Sequence, residues 1–240
     1  MRAAVLLMLC VAATAQVNAP QVGLLLDREG GLRPVLGIAG NFVVGAPVHE
    51  GVLAAAFSGQ TGLAKTETEL LVLDASGAVT ERLSAPEGTA LFAFDANGMP
   101  AAALFPGVEE LWRWNTEGVI ERQIVSLQGE ALALSAAKLL VRREEGLWLV
   151  GEAGESPAEP GAVALLEDGT VLAIQGDELL IPRTGGRISI PEVSAESVRV
   201  RQMGRGWLAV EYGTRLYAVC IAAGRESVHQ MPGVAPWVAP

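Results

Sequence analysis

Leu70-Leu71-Val72-Leu73-Asp74-Ala75-Ser76-Gly77 decides the fold of this chain: an apolar run of strand length stops on Asp, and three residues later a Gly closes a turn. Asp accepts hydrogen bonds from amides just downstream, and Gly takes positive φ without steric cost, so the pair ends a strand and reverses the chain. The same unit recurs as Leu91-Phe92-Ala93-Phe94-Asp95-Ala96-Asn97-Gly98, as Leu111-Trp112-Arg113-Trp114-Asn115-Thr116-Glu117-Gly118 and as Val163-Ala164-Leu165-Leu166-Glu167-Asp168-Gly169. Self-similarity at a fixed period of some forty residues is the signature of a repeat architecture.

Turn glycines at Gly30, Gly77, Gly118, Gly154, Gly186 and Gly224 fall 47, 41, 36, 32 and 38 residues apart, which implies about six units. The third unit divides into four strands, at 89–95, 100–105, 110–115 and 119–124, and four antiparallel strands make one propeller blade. The fifth (162–167, 170–175, 178–182, 187–190) and sixth (197–203, 207–211, 215–221, 226–230) divide the same way. In the fourth, strands at 131–135, 138–142 and 147–151 are followed by a Gly/Glu/Pro-rich stretch, 152–160, read as a degenerate outer strand. The second takes 52–57 as inner strand, a loop over 58–65, then strands at 69–73 and 78–83. The first holds a hairpin, 22–26 and 32–36, whose missing partners the C-terminal 234–238 would help to supply, so that both chain ends close the ring. The expected fold is therefore all-β, a β-propeller of about six four-stranded blades, with five or seven blades and a β-sandwich as the alternatives. Small residues suit inner strands crowded at an axis, and Ala54, Ala55, Ala56, Ala93, Ala131, Ala133, Ala162 and Ala164 lie on the candidates.

Residues 1–15 read as a secretory signal peptide: Arg2, an apolar run over 3–13, and Ala13-Thr14-Ala15 as the small-x-small cleavage site. The run is too short for a membrane span, and Leu9 before Cys10 does not suit a lipobox. The expected product is a single domain, 16–240, secreted or periplasmic, in which Cys220 has no cysteine left to pair with. The formal charge of −10 and the two scattered lysines, Lys65 and Lys138, exclude nucleic acid as a natural partner and favour a soluble monomer.

No constellation carries obvious chemistry. Gly59-Gln60-Thr61-Gly62-Leu63-Ala64-Lys65-Thr66 approaches a P-loop, but strand sequence follows where a helix must open. Asp95-Ala96-Asn97-Gly98 opens like a calcium loop without its distal Glu, and reads as a hairpin turn. His49 and His229 lack metal-ligand spacing and read as surface or loop residues. Asp27, Asp74, Asp95, Asp168 and Asp177 fall in turns, with Glu109-Glu110 and Glu144-Glu145 beside them. Trp112, Trp114, Trp148 and Trp207 read as packing between blades, with a sugar-stacking platform as the functional alternative, and Trp237 as an anchor for the closing strand. No catalytic, cofactor-binding or metal residue is assigned, and no cofactor is expected.

The Leu70–Val79 signature, with its echoes along the chain, resembles repeats of bacterial extracytoplasmic propellers of the NHL-like and quinoprotein-like group. For quinoprotein dehydrogenases the resemblance would imply a blade-locking Trp motif and a quinone–calcium pocket, neither of which is present. For propeller lactonases it would imply Glu, Asn and Asp around a divalent ion, whereas asparagine is limited to Asn18, Asn41, Asn97 and Asn115. The leading expectation is an exported, non-catalytic scaffold that binds a protein or other extracellular macromolecule. The alternative is a carbohydrate- or lactone-active hydrolase using carboxylates at the central mouth.

Overall fold

The computed structural model describes residues 19–115, 117–181, 185–191 and 198–231. They form six antiparallel sheets around one axis, a six-bladed β-propeller. Blade 1 holds β1 (Gln21–Leu26), β2 (Leu32–Ile38) and β3 (Asn41–Val44). Blade 2 holds β4 (Ala54–Phe57), β5 (Thr61–Lys65), β6 (Glu69–Asp74) and β7 (Val79–Ser84). Blade 3 holds β8 (Leu91–Phe94), β9 (Pro100–Phe105), β10 (Glu110–Trp114) and β11 (Ile120–Ile124), with a 3-10 turn at Pro106–Val108. Blade 4 holds β12 (Glu130–Leu134), β13 (Lys138–Arg143), β14 (Gly146–Gly151) and β15 (Gly154–Pro157). Blade 5 holds β16 (Ala162–Leu165), β17 (Val171–Gln175), β18 (Glu178–Ile181) and β19 (Gly186–Ser189). Blade 6 holds β20 (Val198–Gly204), β21 (Trp207–Tyr212), β22 (Arg215–Cys220) and β23 (Ser227–Gln230). The six inner strands, β1, β4, β8, β12, β16 and β20, touch in sequence and the last returns to the first.

The Asp-to-Gly turn is the repeated device. One carboxylate or amide oxygen accepts from the amides two and four residues on: Asp27 from Glu29 and Gly31, Asp74 from Ser76 and Ala78, Asp95 from Asn97 and Met99, Asn115 from Glu117 and Val119. The glycine third along has φ between 77° and 90° in all four turns. Burial pushes the Asp27 carboxyl up, but the Arg33 guanidinium and the Gly31 and Glu29 amides overcome it and hold the group below its ordinary range. The copy at Gly169 is shifted: Leu166 occupies the Asp position, and Asp168 accepts from Thr170 instead. Five of the six spacing glycines border the turn between third and outer strands, whereas Gly30 lies between first and second.

Three sequence expectations need correction. Residues 58–65 are not one loop, because β5 pairs with both β4 and β6. Gly62 hides the strand from a propensity reading: a Cβ there would sit 2.0 Å from the Phe57 ring, so close packing and not a turn requires this glycine. Blade 1 has a third strand, β3, and the blade 4 stretch 152–160 contains an ordinary short outer strand, β15, paired with β14. Residues 234–238 and Trp237 lie outside the described residues.

Each seam between blades has its own packing. Buried apolar clusters fill the seams 1/2, 2/3, 5/6 and 6/1, and at the seam 3/4 a buried cluster of blade 3 is covered by half-buried Ala131, Leu134 and Leu139 of blade 4. Trp112, fully buried, packs edge-on against Phe105 at 4.9 Å between blades 2 and 3, with Trp114 at its margin. Trp207 meets Phe42 at 5.4 Å across the seam 6/1, whereas Trp148 lies half-buried under the Arg143 guanidinium. Among the described residues no buried apolar cluster spans the seam 4/5, and β14 is half-buried along its whole length.

The seam 6/1 is closed backbone against backbone. A Cβ at Gly23 would lie 1.8 Å from the Met203 carbonyl oxygen, and one at Gly204 would lie 2.2 Å from that of Val22. Neither oxygen can move without displacing its strand, so Gly23→Ala or Gly204→Ala will lower stability by roughly 2 kcal/mol or more. Gly107→Ala, where a Cβ meets nothing within 4 Å, will stay within about 0.5 kcal/mol of the parent. Equilibrium denaturant unfolding checks both.

Candidate axial site

The inner strands surround a cavity of about 730 Å³. The expected alanines, Ala54–Ala56, Ala93, Ala131, Ala133, Ala162 and Ala164, all line it. Each inner strand ends its sheet, so its axial edge has no ladder partner and turns N–H and C=O groups towards the cavity. Short side chains leave that backbone accessible. The wall belongs to blades 2 to 6; β4 and β20 touch one another as well as β1, and no β1 residue lines the space.

One mouth, where the inner strands begin, is charged. In β20, Val198 and Val200 pack towards blade 5, which turns Arg199 and Arg201 to the opposite face, the side on which Met203 and Ala209 meet blade 1. Glu211 is the cross-strand partner of Arg199, and its Oε2 lies 3.6 Å from an Arg201 nitrogen. That contact is an ion pair without a hydrogen bond: Glu211 is 6% exposed, and its Oε2 has no hydrogen-bond partner. Across the axis Glu130 accepts from Arg142 at 3.1 Å. Burial and then the Arg201 charge pull the Arg199 guanidinium below its usual range, against the opposing pull of Glu211 and Glu130. Arg142, Arg199 and Arg201 thus share this mouth with Glu130 and Glu211, while Glu167 lines the same cavity near its other end.

The opposite mouth is a ring of turns. Ser58 donates to the Gly98 carbonyl at 2.5 Å, Gly59 packs against Arg205, and Gly169 lies beside Ser135. Within the cavity near this end, Gln202 donates to Glu167 at 2.8 Å.

The residues singled out from sequence lie elsewhere. The P-loop-like stretch is a hairpin: Lys65 is fully buried, and its ammonium donates to the Thr66 and Glu67 carbonyls. Burial lowers the Lys65 pKa, opposed by Glu67 and Glu87. His49 donates from Nε2 to the Gly77 carbonyl at 2.7 Å, joining blades 1 and 2. His229 is not a surface residue: half-buried on β23, it packs edge-on against Phe42, with Nε2 buried and unpartnered. Asn97 and Asn115 sit in turns and Asn41 on β3, whereas Asn18 lies outside the described residues. Among the described residues no group of three His, Cys, Asp or Glu side chains could hold a metal ion. None of Arg142, Arg199, Arg201, Glu130 and Glu211 was singled out beforehand. The available signal is Val198-Arg199-Val200-Arg201-Gln202, a charged alternation on an inner strand where blades 2 to 5 carry Ala.

No protein-family model matches the chain, and no curated protein matches it. Among solved structures, it is similar to virginiamycin B lyase from Staphylococcus aureus, with 12% identity over 90% of this chain and 85% of that one, at a TM-score of 0.43. A protein of unknown function from Bacteroides caccae gives 13% identity, 89% and 100% coverage, and a TM-score of 0.47. The Pan2 WD40 domain of Neurospora crassa gives 9% identity, 90% and 80% coverage, and a TM-score of 0.45. Likenesses this distant carry no argument about function. No helix among the described residues is long and apolar enough to cross a membrane.

Removing one member of a buried ion pair leaves the other charge uncompensated, while removing both relieves it. Arg201→Met will therefore destabilise the protein by about 1–3 kcal/mol, discounted from the fully buried case because Arg201 is partly solvated. Arg201→Met with Glu211→Leu will cost less than the sum of the two single changes. A double-mutant cycle read by denaturant unfolding checks the coupling.

Proposed function

We propose that the chain is an exported, non-catalytic β-propeller of the NHL-like repeat class, acting as a monomer. It binds a protein or other extracellular macromolecule through the face that bears the charged mouth. The signal-like residues 1–15 support export, and the architecture supports presentation of one face by rigid blades.

One observation carries the binding reading over the hydrolase reading: both mouth carboxylates face arginines, Glu130 at 3.1 Å from Arg142 and Glu211 at 3.6 Å from Arg201. Glycosidic cleavage needs one carboxyl free to protonate the leaving oxygen and a second aimed at the sugar or a water. Here each of the two carboxylates is engaged by a guanidinium, Glu130 through a hydrogen bond and Glu211 through an ion pair.

Expression of the full chain in a bacterial host, followed by fractionation and N-terminal sequencing, will find it outside the cytoplasm, starting at Gln16. Chromogenic glycosides and lactones will show no turnover that depends on Glu130 or Glu211. A cytoplasmic chain that keeps residues 1–15 contradicts export, and hydrolysis abolished by Glu211→Gln contradicts the non-catalytic reading.

A further inference from the structure

Among the asparagines of this chain, Asn97 alone precedes a glycine; Asn18, Asn41 and Asn115 precede Ala19, Phe42 and Thr116. Asn97 stands exposed at the tip of the hairpin that joins β8 to β9. Its carboxamide has no hydrogen-bond partner among the described residues, because Asp95 takes the accepting position in this turn and holds the Asn97 and Met99 amides. The contrast with Asn115 is one of register: there the asparagine itself accepts, and its Oδ1 is held by the Glu117 and Val119 amides.

An asparagine side-chain carbonyl is within reach of the next backbone nitrogen, and attack is least hindered where that next residue is glycine, which has no Cβ and the widest choice of φ. In the closed turn the Gly98 nitrogen donates to the Asp95 carbonyl at 2.9 Å, so it reacts when the tip opens, and exposed tips open most readily. Hydroxide takes the freed N–H proton, the nitrogen forms a bond to Asn97 Cγ, and that carbon expels its amide nitrogen as ammonia, leaving a succinimide. Water then opens the ring, at Cγ to give aspartate or at the backbone carbonyl to give isoaspartate, in which the main chain runs through Cβ. One amide and one water become one carboxylate and one ammonium, with no other reactant.

We propose that Asn97 is a site of spontaneous covalent modification, deamidated through the Gly98 nitrogen, and that its isoaspartate form weakens the contact between blades 2 and 3 at the mouth opposite the arginines. The Gly98 carbonyl accepts from the buried Ser58 hydroxyl at 2.5 Å. Isoaspartate lengthens the main chain by one carbon immediately before Gly98, which breaks the spacing that lets Asp95 hold both amides and moves the carbonyl off Ser58. The hydroxyl then keeps only the Thr61 carbonyl, at 3.3 Å, and a buried polar group that loses its better partner costs stability. The new carboxylate takes the formal charge of −10 one unit further negative. The modification is independent of what the charged mouth binds.

Incubation of the full chain, as processed by the host, in mildly alkaline and mildly acidic buffers tests the site by ion-exchange chromatography and peptide mapping. An acidic species grows with time, faster in the alkaline buffer, and mapping places the new acid at position 97 as a mixture of aspartate and isoaspartate. Asn97→Ser, which copies Ser76 of the equivalent blade 2 turn, loses that species. Acid formed first at Asn41 or Asn115, no acid at position 97, or an acidic species that persists in Asn97→Ser overturns the site. Denaturant unfolding of the separated isoaspartate fraction reads the effect on blade 2: its midpoint lies below that of the unmodified chain, and the gap narrows in Ser58→Ala, which has no hydroxyl to strand. A midpoint equal to that of the unmodified chain, or a gap that Ser58→Ala leaves unchanged, overturns the link to blade 2. If Ser58→Ala fails to fold, the midpoint of the isoaspartate fraction decides alone.

Discussion

The ring depends on a contact that side chains cannot make. Blade 6 returns to blade 1 through the backbones of Gly23 and Gly204, each close enough to a facing carbonyl to exclude even a methyl group. Phe42 and Trp207 lie over this contact as an edge-on pair with His229, a geometry worth about 0.5–1.5 kcal/mol beyond burial. Cys220 is unpaired and buried within blade 6, so it does not fasten the seam covalently. Closure therefore rests on backbone fit and apolar packing, and every inner strand depends on it to hold its position about the axis.

The axial cavity follows from the same fit. With β1 drawn against β20, blades 2 and 6 also touch, and the wall is left to five blades. In five blades the pairing of inner and second strands carries a register shift; only β4 with β5 runs without one. Such shifts bend a strand and increase its twist, which lets short inner strands turn about an axis. Alanines then keep the cavity open where larger side chains would fill it, and the unpaired strand edges make its wall polar. Arg199 and Arg201 interrupt that wall at one end only, which makes the two mouths chemically different.

The fold was legible because its repeated turn is local chemistry. Asp74, Asp95 and Asn115 bind amides within four residues of themselves, so their signal survives in a plain reading of the chain. Where the device changes, the reading weakens: Leu166 stands in the Asp position, and Gly62 serves the Phe57 ring from inside a strand. The strand β3 was missed because it has only four residues and follows β2 through a two-residue turn, Ala39-Gly40. The mouth was hardly legible at all. Glu130 and Arg199 belong to blades 4 and 6, and only the closed ring brings them across from one another. The alternation at 198–202 marks β20 as unusual, but the burial of Glu211 and its loose pairing with Arg201 are properties of tertiary packing.

Uneven seams give the account its most direct test. The seam 6/1 is locked by backbone fit and an apolar cluster, whereas the seam 4/5 has no such cluster among the described residues and ends in the fully exposed β15. Hydrogen–deuterium exchange of the native full chain, resolved by strand, reads this directly. The closure account predicts that the ladder-bonded amides of β14 and β15 exchange first, by local opening of blade 4, while those of β1 and β20 that bond to β2 and β21 exchange last and only with global unfolding. Exchange of the ladder-bonded amides of β1 or β20 ahead of those of blade 4 would contradict it, because the glycine seam would then be the place where the ring opens.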